Sequence, residues 1–186
     1  MSHRPAQDQP SGWVARFAPL LPPGEALDLA CGHGRHARLL AALGHTVLAV
    51  DRDPAALAAC AGPGVRALQL DLEEEGCCWP FAPGRFVGIV VTNYLHRPLF
   101  PLLIDCLAEG GVLIYETFAA GNGQFGKPSN PAFLLEPGEL LRRTAGLRVL
   151  AFEDGYVDSP QPAMVQRICA LKVGDSPVAR RLYLGG

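Results

Sequence analysis

Residues 27–40 read LDLACGHGRHARLL. A short apolar run carries Asp28, two glycines stand one residue apart at Gly32 and Gly34, and apolar residues then recur at helical spacing. A strand that turns on bare backbone into a helix is a place where a nucleotide-like ligand can lie against the chain. The strand here is residues 25–30 and the helix 34–44, with Gly44 as the glycine that closes it.

The same alternation continues outward from this stretch. Residues 45–50 (HTVLAV) form a second strand ending at Asp51, and 53–62 a second helix with Pro54 in its first turn. Residues 65–70 are a third strand ending at Asp71. A buried-type strand spans 88–95, a helix lies near 98–108, and another strand covers 111–118. Upstream, 12–21 is helical and stops at PPG. Downstream, 136–146 is a helix, and two alternating runs, 147–157 and 164–173, join through DSPQPA as a hairpin.

Apolar strands alternating with helices make a parallel sheet covered on both faces. The fold expected is therefore α/β: a Rossmann-like, doubly wound, mostly parallel seven-stranded sheet with a C-terminal antiparallel hairpin. Its domain runs over residues 11–175, between a loose lead-in at 1–10 and a tail at 176–186. In such sheets ligands bind beyond the carboxyl ends of the strands, where strand order reverses. The residues at those ends are Asp28, Asp51, Asp71, Asn93 and Glu116. Each could be a turn former or cap, and the five together point to a site.

Composition narrows the partners. The 186 residues are 49% hydrophobic and 18% charged, which fits one folded domain and leaves too little chain for two with a cleft between them. Sixteen basic and eighteen acidic side chains give a net charge of −2, so neither nucleic acid nor an anionic membrane is the expected partner. No apolar run is long enough to span a bilayer, and MSHRPAQDQP lacks the apolar core of a secretory signal. Six cysteines without framework spacing read as reduced thiols of a cytoplasmic protein. Cys31, His33 and His36 in one glycine turn cannot surround a metal ion, and Cys77 and Cys78 read as a loop plug.

Two cofactors fit the glycine loop. GHGRHA with Asp51 downstream satisfies a weak dinucleotide pattern, which would make the chain an NAD(P)-dependent oxidoreductase. S-adenosylmethionine (SAM) has an amino group, a ribose diol and an adenine, and wants carboxylates at several strand ends. Asp28 suits its amino group, Asp51 its diol, and Asp71 with the N–H of Leu72 its adenine. Arg35, in the first turn of a helix, faces either solvent or the SAM carboxylate. NAD would leave Asp71 without a task.

ALDLACGHGRHARLLAALGHTVLAVDRDPAAL resembles motif I and the ribose-acid strand of class I SAM-dependent methyltransferases, and FVGIVVTNYLHRPL resembles their fourth-strand motif. The similarity covers roughly residues 24–173, and FLLEPGELLRR with GHTVLAVD is most similar to the bacterial tellurite-resistance-like methyltransferases. Ala30 departs from the first motif glycine, and Val87 stands where an acid is common. The resemblance implies SAM as cofactor, S-adenosylhomocysteine (SAH) as product and a small-molecule acceptor, such as a chalcogen oxyanion or thiol. The cofactor set it implies is Asp28, Ala30, Gly32, Gly34, Arg35, Asp51, Arg52, Asp71, Leu72 and Asn93. Tyr94, His96 and Glu116 are the candidate catalytic groups, with Tyr115 near them. A catalytically silent SAM-binding module is a further alternative. Residues 119–133 are too rich in glycine, proline and asparagine for a helix or strand, and read as a gate carrying Phe125 and Phe133.

Overall fold

A computed structural model describes residues 9–74 and 78–174. Cys77, the tail at 176–186 and all of the lead-in but residues 9 and 10 lie outside the described residues.

The strands are β1 (Glu25–Leu29), β2 (Thr46–Asp51), β3 (Val65–Gln69), β4 (Phe86–Thr92), β5 (Leu107–Phe118), β6 (Arg148–Val157) and β7 (Ala163–Leu171). They form one sheet in the order β3-β2-β1-β4-β5-β7-β6. The first five run parallel, and β7 pairs antiparallel with both β5 and β6. The expected fold is the observed one. The helices are α1 (Gly12–Phe17), α2 (Arg35–Ala42), α3 (Pro54–Cys60), α4 (Phe100–Cys106) and α5 (Glu139–Arg143).

Local chemistry sets these boundaries. α1 is capped by the Ser11 side chain and loosens into a 3₁₀ turn over Ala18–Leu20 before the prolines. α3 is capped by Asp53 and opens on Pro54. α2 ends at Gly44, whose φ of +94° is the left-handed conformation a closing glycine supplies. The central strands read as unbroken apolar runs because helices cover both faces. One buried cluster joins Leu27, Ile89, Leu113 and Phe100, and another joins Val14, Ala26, Leu40 and Ile114. β3 is an edge strand and is largely exposed.

Residues 119–133 are less loose than their composition predicts. 3₁₀ turns form at Asn122–Gln124 and Pro131–Phe133. Asn122 is 2% exposed, its amide donates to the Pro128 carbonyl, and its side-chain oxygen accepts from Met164 N–H. Buried polar groups satisfied on both sides pin the segment to β7. Phe125 lies against Tyr156 of β6, with ring centroids 5.2 Å apart, and Phe133 is half exposed. Neither ring covers the carboxyl ends of β1 and β4.

Candidate functional site

Strand order reverses between β1 and β4, and a cleft of about 580 Å³ opens at their carboxyl ends. That size and place are typical of small-molecule sites. The structure brings Ala30, Gly32, Arg35, Asp51, Arg52, Asp71, Leu72, Asn93 and Tyr94 together on its walls. Asp28, Gly34, His96 and Glu116 stand outside that lining.

The glycine turn is built by backbone conformation. Ala30, Gly32 and Gly34 all have positive φ, at +53°, +52° and +75°. A Cβ added at Gly32 would meet nothing within 4 Å, so bare backbone faces the cleft there. A Cβ at Gly34 would lie 2.2 Å from Cys60 Sγ, so this glycine is required for packing α2 against α3. Ala30 and Asn93 (φ +55°) are the non-glycine residues with positive φ among those described, and they end the two central strands. Strain held at adjacent strand ends beside a cleft is a mark of a binding site.

Asp51 fixes the turn from the neighbouring strand. Its two carboxylate oxygens accept from Gly32 N–H at 2.8 Å and from Asp53 N–H at 3.0 Å. Each oxygen keeps a lone pair for a further donor. Asp71 accepts from Glu73 N–H at 3.0 Å and faces the Arg52 guanidinium at 4.0 Å. Both side chains of that pair are exposed, so it is weak and easily opened.

Asp28 departs from its expected role. It is 1% exposed, and its carboxyl accepts from Ala37 N–H at 2.8 Å, inside the first turn of α2. Burial pushes its pKa up to about 8, against the pull of that N–H. It therefore holds the helix start and does not reach the cleft.

The expected catalytic groups are held elsewhere. Burial and the neighbouring Glu73 carboxylate raise the Tyr94 pKa, so its phenol stays protonated. Tyr115 is buried, donates to the Tyr94 carbonyl at 2.8 Å and stacks on Phe100, so it supports the turn after β4 and is not a reacting group. Glu116 accepts from the Ser11 hydroxyl at 2.8 Å and from Arg167 at 3.3 Å. His96 is half-buried, and its carbonyl accepts from Leu99 N–H. Arg97 beyond it is bonded to Glu139 and to the Ala132 and Leu134 carbonyls.

Reasoning from sequence missed Ser11, Thr92 and Arg167, and it weighed His36 only as a metal ligand. The His36 Nε2 accepts from Ser11 N–H at 3.0 Å, and Nδ1 lies 3.4 Å from Thr92 Oγ1. These contacts join residues 25 and 56 positions apart, which no local pattern announces.

Comparison with known proteins agrees with this architecture. Residues 26–111 match a family described as a methyltransferase domain. Over 108 residues the chain is 36% identical to the protein-L-isoaspartate O-methyltransferase of Chlorobaculum tepidum, covering 56% of this chain and 49% of that protein. The chain thus spans about half the length of the curated relative it matches. Among solved structures it resembles TehB from Haemophilus influenzae (TM-score 0.72, 17% identity, 88% of this chain and 62% of that one). A TehB-like SAM-dependent methyltransferase from Corynebacterium glutamicum aligns with TM-score 0.61 at 21% identity, over 86% and 87% of the two chains. The geranyl diphosphate C-methyltransferase of Streptomyces coelicolor, solved with SAH, aligns with TM-score 0.64 at 18% identity, over 86% and 76%. The resemblance read from the motifs stands. Residues 26–111 match a methyltransferase-domain family, and the seven-stranded sheet has the fold of the solved SAM-dependent methyltransferases it aligns with.

Proposed function

We propose that this chain, whose residues 26–111 match a methyltransferase domain, is a cytoplasmic SAM-dependent enzyme that methylates a small molecule. The observation that carries the reading is the Asp51 carboxylate, bound to Gly32 N–H at the mouth of a cleft whose glycine turn faces open space. Asp51 would take the ribose diol, Asp71 with the Leu72 N–H the adenine, and Arg35 the amino-acid carboxylate. Ala30, Gly32 and Asn93 supply close backbone, and Arg52 swings between Asp71 and the ligand.

When bound, SAM supplies a methyl group already activated on a sulfonium. The protein's share is orientation and the exclusion of water, worth several kcal/mol of barrier. A general base is required only for an acceptor with a proton to lose. Glu116 is tied to Ser11 and Arg167, and the Tyr94 phenol is held protonated. An acceptor that arrives as an anion, such as a chalcogen oxyanion or a thiolate, therefore suits the site best, with His96 as the remaining candidate base.

Incubation with methyl-labelled SAM and a panel of selenite, tellurite, small thiols and small carboxylates tests the reading. Label is expected in at least one of the oxyanions or thiols. Robust methylation of protein or DNA with none of these accepted would overturn the small-molecule assignment. Binding of SAH with no turnover on any acceptor would instead favour a silent binding module.

A further inference from the structure

A segment that precedes α1 is tied across the carboxyl edge of the sheet. The Ser11 amide donates to His36 Nε2 at 3.0 Å. The Ser11 hydroxyl donates to Glu116 Oε1 at 2.8 Å while accepting from Trp13 N–H at 3.1 Å. Arg35 Nη1 reaches the Gln9 carbonyl at 3.5 Å. Arg35 and His36 are consecutive in the first turn of α2, so residues 9–11 run across the start of that helix, behind the glycine turn. Further contacts brace this arrangement. Arg167 holds the other Glu116 oxygen, pairs with Glu153 and lies 5.1 Å from the Trp13 ring centroid.

Capping alone does not require so much. The hydroxyl bond to Trp13 N–H satisfies α1, and it uses neither His36 nor Glu116. His36 is 1% exposed, and a buried imidazole is kept where both its nitrogens find partners. Nε2 accepts the Ser11 amide, so the ring proton sits on Nδ1 toward Thr92 Oγ1, and the ring is neutral. Burial, then the nearby Arg35 charge, pull its pKa down to about 3, which keeps the ring neutral across the working range. Arg35 itself lines the cleft, and a free guanidinium loses much rotamer freedom on binding a ligand.

We propose that Ser11 and His36 are positioning residues, which hold residues 9–11 against α2 so that Arg35 is aimed at the carboxylate end of an amino-acid-bearing nucleoside. This rests on the SAM reading of the cleft. It assigns to a segment outside the matched domain, residues 26–111, a part in recognising one end of the ligand and not the other.

The test uses the whole chain as wild type, His36→Leu, His36→Gln and Ser11→Ala. Amide exchange reads the latch without ligand, and calorimetric titration with SAH and with adenosine reads its consequence. Adenosine lacks the amino-acid end. In wild type the Ser11 amide is expected to be protected, and in His36→Leu to exchange freely while α2 stays protected. SAH affinity should fall about tenfold in His36→Leu, which removes the acceptor of the Ser11 amide, and by less in Ser11→Ala, which keeps that amide and removes the hydroxyl bond to Glu116, with adenosine affinity unchanged in both. His36→Gln, which still offers an acceptor, should recover most of it. If His36→Leu does not fold, Ser11→Ala tests the second tie of the segment, the hydroxyl bond to Glu116, and a larger loss for SAH than for adenosine is again expected. Equal losses for SAH and adenosine, unchanged SAH affinity, or free exchange of Ser11 in wild type would each overturn the proposal. A wild type that binds neither ligand would strike the SAM reading itself, which separates that failure from this one.

Discussion

From β1 to β3 the carboxyl edge of the sheet is held by backbone N–H groups on carboxylates, whereas from β4 to β7 it is held by side chain on side chain. In the first region Asp51 binds Gly32 and Asp53 N–H, Asp53 binds Ala55 N–H, and Asp71 binds Glu73 N–H. Three of these four bonds span two residues, so the turns are nearly self-contained. In the second, Ser11 meets Glu116 across 105 positions, Arg167 meets Glu116 across 51, and Arg97 meets Glu139 across 42. The difference suggests a division of labour. On the proposed reading, the cofactor would rest on the fixed backbone frame of β1 to β3, while the other end of the sheet is shaped by long-range pairs that can be exchanged one at a time.

The sharpest way to break the first region is at Gly34. Gly34→Val places a β-branched residue at φ +75° and a Cβ 2.2 Å from Cys60 Sγ. Strain and overpacking together should cost roughly 3–5 kcal/mol of stability in urea unfolding. A loss under about 1 kcal/mol would mean that the turn is not fixed by backbone conformation.

In the second region the largest effect is expected at Arg97. Arg97→Ala leaves the Glu139 carboxylate, 5% exposed, with the Arg143 guanidinium and the Glu136 N–H, and removes two donors from the 131–134 turn. We expect a loss of about 2–3 kcal/mol, short of the full cost of a buried orphan charge because Arg143 remains. Burial pushes Glu139 up, but Arg97, the Glu136 N–H and Arg143 outweigh it and hold it at about 2. With its pKa depressed in the folded state, this contribution is present above the unfolded value and lost as pH falls from about 4 toward 2. Stability of the Arg97→Ala variant should lose that part of its acid dependence.

Much of the contrast was legible before any coordinates. Glycines at positive φ, an acid at each strand end and Pro54 after a capping Asp53 are local rules, and they place β1 to β3 and their turns to within a residue or two. The terminal hairpin follows from periodicity and the mostly parallel sheet from the alternation of strands and helices, whereas the place of β7 between β5 and β6 does not show in the sequence. The sequence shows Asp28 as a carboxylate near the glycine turn without showing its bond to Ala37 N–H at the start of α2. The partners of Glu116 and Tyr115, namely Ser11, Arg167 and Tyr94, come from distant stretches and are equally hidden. The 119–133 segment looked structureless because its composition excludes helix and strand, whereas its order comes from Asn122 and its bonds to Pro128 and Met164.

Asp28 and Phe125 give smaller and more discriminating effects. The folded Asp28 carboxyl binds its proton up to about pH 8, while the unfolded chain releases it near 4, so the wild type loses stability from this group as pH rises through that window. Asp28→Asn keeps an acceptor for Ala37 N–H and has nothing to titrate. Its stability relative to wild type should climb steadily between pH 4.5 and 8 and then level off. A flat difference would mean that the carboxyl is already ionised. Phe125→Ala should change stability by no more than about 0.5 kcal/mol and leave SAH affinity alone, because the ring sits on Tyr156 and away from the cleft. Protection of Phe125 from chymotrypsin by SAH would restore the gate.

The most direct check of the account is calorimetric titration of SAH into the wild type and into Asp51→Ala, with NADH as the competing ligand. Two charge-assisted bonds to the ribose would go with Asp51, a loss of about 2–4 kcal/mol of binding. The account predicts SAH binding to wild type, affinity reduced well over tenfold in the variant, and no binding of NADH. NADH binding without SAH, or SAH affinity unmoved by Asp51→Ala, would contradict it.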